Sequence, residues 1–438
     1  MPKPRRQLGL FDAIMLVMGG IIGAGIFANP SEVAHRVHTP FLILAVWVVG
    51  GLIALAGAFI WAELTTRLPG TGGQYLYLRE AYHPCVAFVY GWVLLLVTQT
   101  GGMAAVAITF AVYFRTLTGV PWSNRVLAAA VLLTLSAINC LGARTGSNLQ
   151  SALMLLKIGA IATLVAVGLI IGGSPSTMAR PLLDQPISFG LWRSIGVALI
   201  PVAFTYGGWQ TATFVAGEMR DPRRDLSRGL ILGVLGVVVL YLAVNFVCLH
   251  VLGAEGMDQT STPASDVMRK VLGESGAQWI AAGIAISTLG FLSQSILTAP
   301  RVDYAMACDG VFFAGVGKIS RSGAPILAIA LQGMAATIIA CSGKYGEILN
   351  FEVTVDFISF ALTASALFVL RRRGTGKESD IHRVPGHPVT TILFVISCLG
   401  VVTSAVVSTP RNSGVALAIL LAGIPVYWFW RPPRKKQS

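Results

Sequence analysis

Residues 18–27 read Met18-Gly-Gly-Ile-Ile-Gly-Ala-Gly-Ile-Phe27, with four glycines in the seven positions from Gly19 to Gly25, inside an uncharged run over 13–31. Such a run has the length and character of a membrane-crossing helix. Glycines at its centre suit close packing against a second helix. They suit equally a helix that unwinds at mid-membrane, because glycine frees the backbone and unwound backbone is tolerated at that depth where it lines a cavity.

Working outward, uncharged runs of similar length recur over 37–62, 81–114, 126–143, 194–217, 229–254, 275–300, 322–343, 384–410 and 412–430. Two further apolar stretches carry charge: 145–179 holds only Lys157, and 349–370 holds Glu352 and Asp356 near its start. Together they predict twelve spans. The composition agrees: 55% of the 438 residues are hydrophobic and 12% charged, about half the charged fraction of a soluble domain and too apolar for disorder. The spans leave only short loops and no room for a sizeable soluble domain.

The net charge of +13 reads as topology. With the N-terminus on the cytoplasmic side, 22 of the 32 basic residues fall on that side and nine on the other, with Lys157 left inside the membrane. The positive-inside rule then places both termini in the cytoplasm. No removable signal peptide is evident, since the first segment lacks a small-residue cleavage site and runs into a second span. The six cysteines lie in or beside apolar segments without CxxC spacing, suggesting neither a disulfide framework nor a zinc site.

A second interruption favours the unwound reading of the first. The sixth span contains Phe204-Thr-Tyr-Gly-Gly-Trp209, preceded by Pro201, whose missing N–H already weakens a helix. Spans one and six correspond if ten helices form two five-helix repeats, and five being odd, the second repeat is inverted. Interrupted helices at matching positions of inverted halves point to a transporter's substrate site. At such breaks the start of one half-helix offers free amides to an anion, while carbonyls ending the other half face a cation. An α-amino acid carries both charges on adjacent groups and can be held by backbone alone.

At these residues the chain resembles the amino acid–polyamine–organocation transporters, and within them the bacterial relatives of the L-type amino acid exchangers, the serine/threonine exchanger-like branch. The resemblance covers nearly the whole chain. Besides Gly20 to Phe27 and Phe204 to Trp209, it rests on Leu68-Pro-Gly-Thr-Gly-Gly-Gln-Tyr-Leu-Tyr77, Gly217-Glu-Met-Arg-Asp-Pro-Arg-Arg-Asp-Leu226, Pro300-Arg-Val-Asp-Tyr-Ala-Met-Ala-Cys-Asp-Gly310 and Arg383-Val-Pro-Gly-His-Pro388. It implies an all-α polytopic membrane protein of twelve transmembrane helices in one domain, with a LeuT-like 5+5 inverted repeat over about 9–175 and 188–372. Helices 1 and 6 would be unwound, helices 11 and 12 (about 386–430) would lie outside the repeats, and the cytoplasmic tails would be short.

Carried over residue by residue, the resemblance implies a substrate-binding set of Ile21, Ile22, Gly23, Ala24 and Gly25 in the first span and Phe204, Thr205, Gly207, Trp209 and Gln210 in the sixth. The amides around Gly23, Ala24 and Gly25 would take the substrate carboxylate. Carbonyls near Ile21, Phe204 and Gly207 would take its amine. Phe204 would be the gate that closes from outside, and Trp209 with Gln210 would shape the side-chain pocket. Membrane-core packing is the plainer alternative for Phe204 and Trp209.

Lys157 is the only charge in its 35-residue stretch and sits near the middle, where a lysine costs about 2.5–3.5 kcal/mol on insertion scales. Snorkelling to an interface is the plainer alternative, and a mid-span position argues against it. The resemblance implies that the Lys157 ammonium replaces the sodium bound by coupled relatives of the same fold, tying helix 1 to helix 8 through Ser287. It would then be a structural or proton-linked cation in sodium-independent transport.

Glu352 and Asp356, four apart and on one helical face, read as an acidic vestibule for cationic substrates or, more plainly, as a solvated helix end or a structural pair with a neighbouring base. Glu63 reads as the i,i+4 partner of Arg67. The Arg220 to Arg228 loop, with Glu218, Asp221 and Asp225, suggests rearranging ion pairs at an inner gate. His35 and His38 have no metal-ligand companions. Neither a cofactor nor nucleic acid is expected. The animal relatives hold a heavy subunit through a cysteine between helices 3 and 4, and the corresponding 115–124 loop has none. This implies no disulfide-linked heavy subunit, with the protein acting as a monomer or loose homo-oligomer in the bacterial inner membrane.

The expected function is sodium-independent exchange of small or medium neutral L-amino acids by alternating access. The alternatives are a proton-coupled symporter, a carrier of cationic amino acids or polyamines, and, from another class, a non-transporting amino acid sensor. A membrane enzyme would need a catalytic cluster, and neither HExxH nor a nucleophile elbow is present.

Overall fold

The first apolar run folds as two helices rather than one. α1 (Leu10–Ile21) ends where Ile22 leaves the helical region (φ −76°, ψ 96°), and α2 (Gly25–Ala34) resumes after Ala24 with its axis turned by 46°. The computed structural model describes residues 5–171, 181–183, 186–342, 345–376 and 381–430. Several basic residues of the topology count (Lys3, Arg180, Lys344, Lys377 and those after Trp430) lie outside these, as does the expected repeat boundary near 175.

α3 (Pro40–Arg67) starts with Pro40 in its first turn and Thr39 Oγ1 accepting from the Leu42 amide, the capping pattern that fixes a helix start. The short α4 (Gln74–Ala81) follows. α5 (Pro84–Val93) runs through a π-helical turn at Leu94–Thr98 into α6 (Gln99–Thr118), and α7 (Asn124–Cys140) and α8 (Ala143–Ile171) close the first half. α9 (Phe189–Tyr206) is interrupted at Gly207 and Gly208 and continues as a 3-10 segment, Trp209–Glu218. After a π-helical turn at Pro222–Leu226 come α10 (Ser227–Asp258), α11 (Pro263–Thr298), α12 (Pro300–Cys308), α13 (Ile326–Ser342), α14 (Tyr345–Arg372), α15 (Val389–Ser408) and α16 (Pro410–Trp430).

Among the described residues, nine helical runs are long and apolar enough to cross a membrane, and the bent pair α1 and α2 makes a tenth. α7 and α13 are apolar but only 17 residues long. The predicted sixth run extends further than its uncharged core, over 189–218, because Trp192 and Arg193 continue the helix N-terminally.

The two interrupted elements lie at the centre of the packing. α1 packs on α8, α10, α11 and the 3-10 segment, and α2 packs on α9, α10 and α11. Around them Trp47, Tyr206 and Tyr241 form an aromatic cluster with ring centroids 5.1–5.9 Å apart. α15 and α16 sit at the periphery against α14, with Ile396, Val407 and Phe429 exposed, the composition expected of a lipid-facing surface.

Charge is concentrated at the end of the bundle where α1 begins and α3 and the 3-10 segment finish. Glu63 is fully buried, and it is more than the local i,i+4 partner of Arg67. It also accepts from Arg371 Nε at 2.8 Å and Nη2 at 2.6 Å and from the Val384 amide at 2.8 Å, joining α3, α14 and the segment before α15. Glu218 pairs with Arg301 at 2.8 Å with both side chains buried, and its carbonyl accepts from the Gln7 and Leu8 amides. Arg144 pairs with Asp12 at 3.0 Å and Arg79 with Asp309 at 2.5 Å. Removing one partner of the buried pairs, Glu63 with Arg67 or Glu218 with Arg301, would leave a buried charge uncompensated and be strongly destabilising.

Candidate functional site

The two breaks meet. Gly208 adopts φ 104°, and a Cβ on it would lie 2.0 Å from the Gly20 carbonyl oxygen; one on Gly20 would lie 2.6 Å from the Gly208 oxygen. Only glycine allows this left-handed turn and this backbone approach at once. The contact explains two of the sequence's clustered glycines as packing and unwinding together.

Beside the contact lies a cavity of about 180 Å³. Since about 10–15 Å³ by this measure admits one water, the cavity has room for a small organic solute. Its floor and near wall are Gly20, Ile21, Gly23, Ala24, Gly25, Ala203, Phe204, Thr205, Gly207, Gly208 and Gln210. α6 contributes Gln99, Ala105 and Thr109, α11 contributes Phe291, Gln294 and Ser295, and α14 contributes Glu352, Asp356, Phe357 and Phe360. α2 begins here with no side chain capping it, so the first-turn amides and the positive end of the helix dipole face this region.

Of the ten residues expected to bind substrate, eight line the cavity. Ile22 and Trp209 do not. Ile22 is fully buried away from it, and Trp209 packs edge-on to Trp61 (4.8 Å) and stacks on Phe360 (5.7 Å) behind the wall. Phe204 is 39% exposed and borders both this cavity and an outer groove of about 340 Å³ that includes Asn29, Glu32, Arg36 and Thr409. The groove leads away from the ion-paired end.

The carbonyls freed by the first break are taken up by side chains from three other helices. Tyr241 Oη donates to Ile21 O at 3.1 Å, Lys157 Nζ donates to Ile22 O, and Ser287 Oγ donates to Gly23 O at 3.0 Å. Lys157 is 0% exposed, with Gly290 of α11 against its end. Ser287 and Lys157 grip neighbouring carbonyls of one strand of backbone, so α8 and α11 are tied through it. The second break is braced by its own neighbourhood. Gly208 N donates to Gln210 Oε1 at 3.0 Å, Thr211 Oγ1 donates to Gly208 O at 2.6 Å, and the Gly207 amide donates to Phe204 O at 3.0 Å. Asn29 of α2 clamps α9 by donating to Thr205 Oγ1 at 2.6 Å and to the Pro201 carbonyl at 3.2 Å.

Glu352 and Asp356 overturn the plainer expectation of a solvated end or a pair with a base. Both line the cavity, and among the described residues no lysine or arginine forms an ion pair with either. Glu352 instead lies against α6, where a Cβ on Gly102 would be 3.6 Å from its Oε1. His35 is paired with the Asp258 carboxylate. Sequence reasoning missed Tyr241, Asn29, Thr211 and Gln294. Tyr241 is a lone polar residue in an apolar run, and Asn29, Thr211 and Gln294 sit in short uncharged polar clusters; for each, the facing was the missing information.

The sequence pattern of the amino acid permease family matches residues 8–429, which takes in every described helix. The chain belongs to that family. Among curated proteins it is similar to the serine/threonine exchanger SteT of Bacillus subtilis, 30% identical over 441 residues that cover 97% of this chain and 96% of the relative. It is similar also to the human b(0,+)-type amino acid transporter 1 (28% identical, 97% of this chain, 88% of the relative) and to the human large neutral amino acids transporter small subunit 2 (26%, 98% and 81%). Family membership and the apolar helices together make this a multi-pass membrane protein that transports amino acids and is not an enzyme.

Proposed function

We infer that this permease exchanges α-amino acids by alternating access, without sodium, through the cavity at the two helix breaks. The observation that carries the reading is the junction of Gly20 and Gly208 beside an enclosed space. There the uncapped start of α2 suits the substrate carboxylate, and the carbonyls of α1 and α9 suit its ammonium. Lys157 and Ser287 hold the carbonyls that a coupling cation would otherwise take, which supports sodium independence. Phe204, between cavity and outer groove, is the natural outer gate. The ion pairs of Glu63, Glu218, Asp12 and Arg79 then form the closed inner end.

The same reading gives twelve spans: the nine long runs, the bent pair, and α7 and α13. The two 17-residue helices stand fourth and ninth in this order, and the breaks stand first and sixth. Both offsets are five, as an inverted 5+5 repeat requires, with α15 and α16 outside it. Both termini are then cytoplasmic in the inner membrane, in line with the 22-to-9 charge split. The turn between α6 and α7 carries no cysteine, so a covalently attached subunit is not part of the proposal.

The test is transport in proteoliposomes. Uptake of a labelled amino acid should rise several-fold when unlabelled amino acid is loaded inside, and should persist when choline replaces sodium. Uptake that needs an imposed proton gradient and ignores internal substrate would identify symport instead. Ligand-induced stabilisation without any flux would identify a sensor.

A further inference from the structure

The far wall of the cavity differs chemically from the wall made by the two breaks. The backbone wall is neutral and built for groups common to all α-amino acids. Opposite it, Glu352 and Asp356 of α14 place two carboxylates on one face, and among the described residues no basic side chain lines the cavity. Glu352 Oε2 is buried and has no hydrogen-bond partner among the described residues. Independently, Gln294 of α11 is fully buried and lines the same cavity; its Nε2 donates to Thr211 Oγ1 at 2.7 Å, while its Oε1 is left without a partner. Two buried acceptor atoms on one cavity, Glu352 Oε2 and Gln294 Oε1, therefore lack a donor among the described residues.

Carboxylates within a membrane bundle mark ion or substrate pathways, and a neutral amino acid brings no cationic group to this wall. The geometry points to a substrate with a second cationic group on its side chain, a diamino or guanidino α-amino acid. Its α-carboxylate and α-ammonium lie on the broken helices, and its distal cation lies against Glu352 and Asp356. The backbone site holds the zwitterion, and the extra positive charge meets the acidic wall. A carboxylate-free diamine would fill only the acidic side, leaving the α2 amides unused. This assignment rests on the proposed transport reading and replaces the neutral selectivity expected from the sequence.

The experiment uses purified full-length protein and ligand pairs matched in length but not in charge. Arginine is set against citrulline, and lysine against 6-hydroxynorleucine, in thermal-shift or calorimetric titrations and in exchange from proteoliposomes. The charged member should bind at least ten-fold more tightly in each pair. Asp356→Asn and Glu352→Gln should each shrink that ratio several-fold. Equal or weaker binding of the charged member, or an unchanged ratio in both variants, would overturn the assignment, as would putrescine binding more tightly than lysine. The pair comparison on unaltered protein stands even if a variant fails to fold. Failure of the transport reading is a separate result: no amino acid of either kind would be exchanged.

Discussion

The two helix breaks are alike in sequence and different in support. The first is held from outside, its three successive carbonyls at Ile21, Ile22 and Gly23 capped by Tyr241 of α10, Lys157 of α8 and Ser287 of α11. The second takes the partners of its own turn from within, Gln210 and Thr211, and is tied to other helices on its flanks, by Asn29 and Tyr241 at Thr205 and by Gln294 at Thr211. Free backbone groups in hydrocarbon each cost several kcal/mol unless partnered, so both breaks need donors, but the source of the donors differs. A break gripped by three helices moves only when they move. A self-braced one can pivot as a unit. The comparison therefore sets a first break tied directly to three helices against a Gly207–Gly208 turn whose own amide and carbonyl are partnered locally.

The largest test strikes where the breaks touch. Gly208→Ala puts a Cβ about 2 Å from the Gly20 oxygen in a left-handed conformation, and the expected outcome is loss of monodisperse protein on size-exclusion chromatography and of measurable exchange. Gly196→Ala in α9, where a Cβ meets nothing within 4 Å, should behave like the parent. Normal transport by Gly208→Ala would dissolve the contact on which the comparison stands. Next in size is Lys157→Ala. It strips Ile22 of its donor, a desolvation penalty of about 1–3 kcal/mol, and removes the one mid-span cation. Exchange should fall at least ten-fold and the thermal midpoint should drop. Sodium-dependent recovery of transport in this variant would sharpen the role of Lys157 to cation replacement.

How much of this could be read from the sequence follows from where each signal is stored. The spans, both breaks and Lys157 were legible because they are written in local composition: apolar runs, paired glycines, a lone charge. Eight cavity residues followed from two motifs. Gln294, Thr211 and Tyr241 were not legible, because an uncharged polar residue in a membrane helix carries no facing until its neighbours are known. For Glu352 and Asp356 the sequence leaves open an acidic vestibule, a solvated helix end and a structural pair, since spacing along α14 gives a shared face and no depth; in the structure both line the cavity. Glu63 was read as a local pair for the same reason, as Arg371 is 308 positions away.

Smaller effects separate the three external braces. Ser287→Ala leaves Gly23 O bare, and Tyr241→Phe removes contacts at 3.1 and 3.4 Å. At about 1 kcal/mol for an ordinary hydrogen bond, each should lower stability modestly in chemical or thermal unfolding. The finest test joins the two breaks. Thr211→Val preserves shape and removes both the donor to Gly208 O and the acceptor for Gln294. If the second break is a self-contained hinge, the stability losses of Thr211→Val and Ser287→Ala should add to within about 0.5 kcal/mol in the double variant, as independent sites do. Thr211→Val alone should lower the turnover of exchange more than the affinity for substrate. A coupling above about 1 kcal/mol would mean that the Gly20–Gly208 contact fuses the breaks into one mechanical element, with external bracing of the first extending to the second.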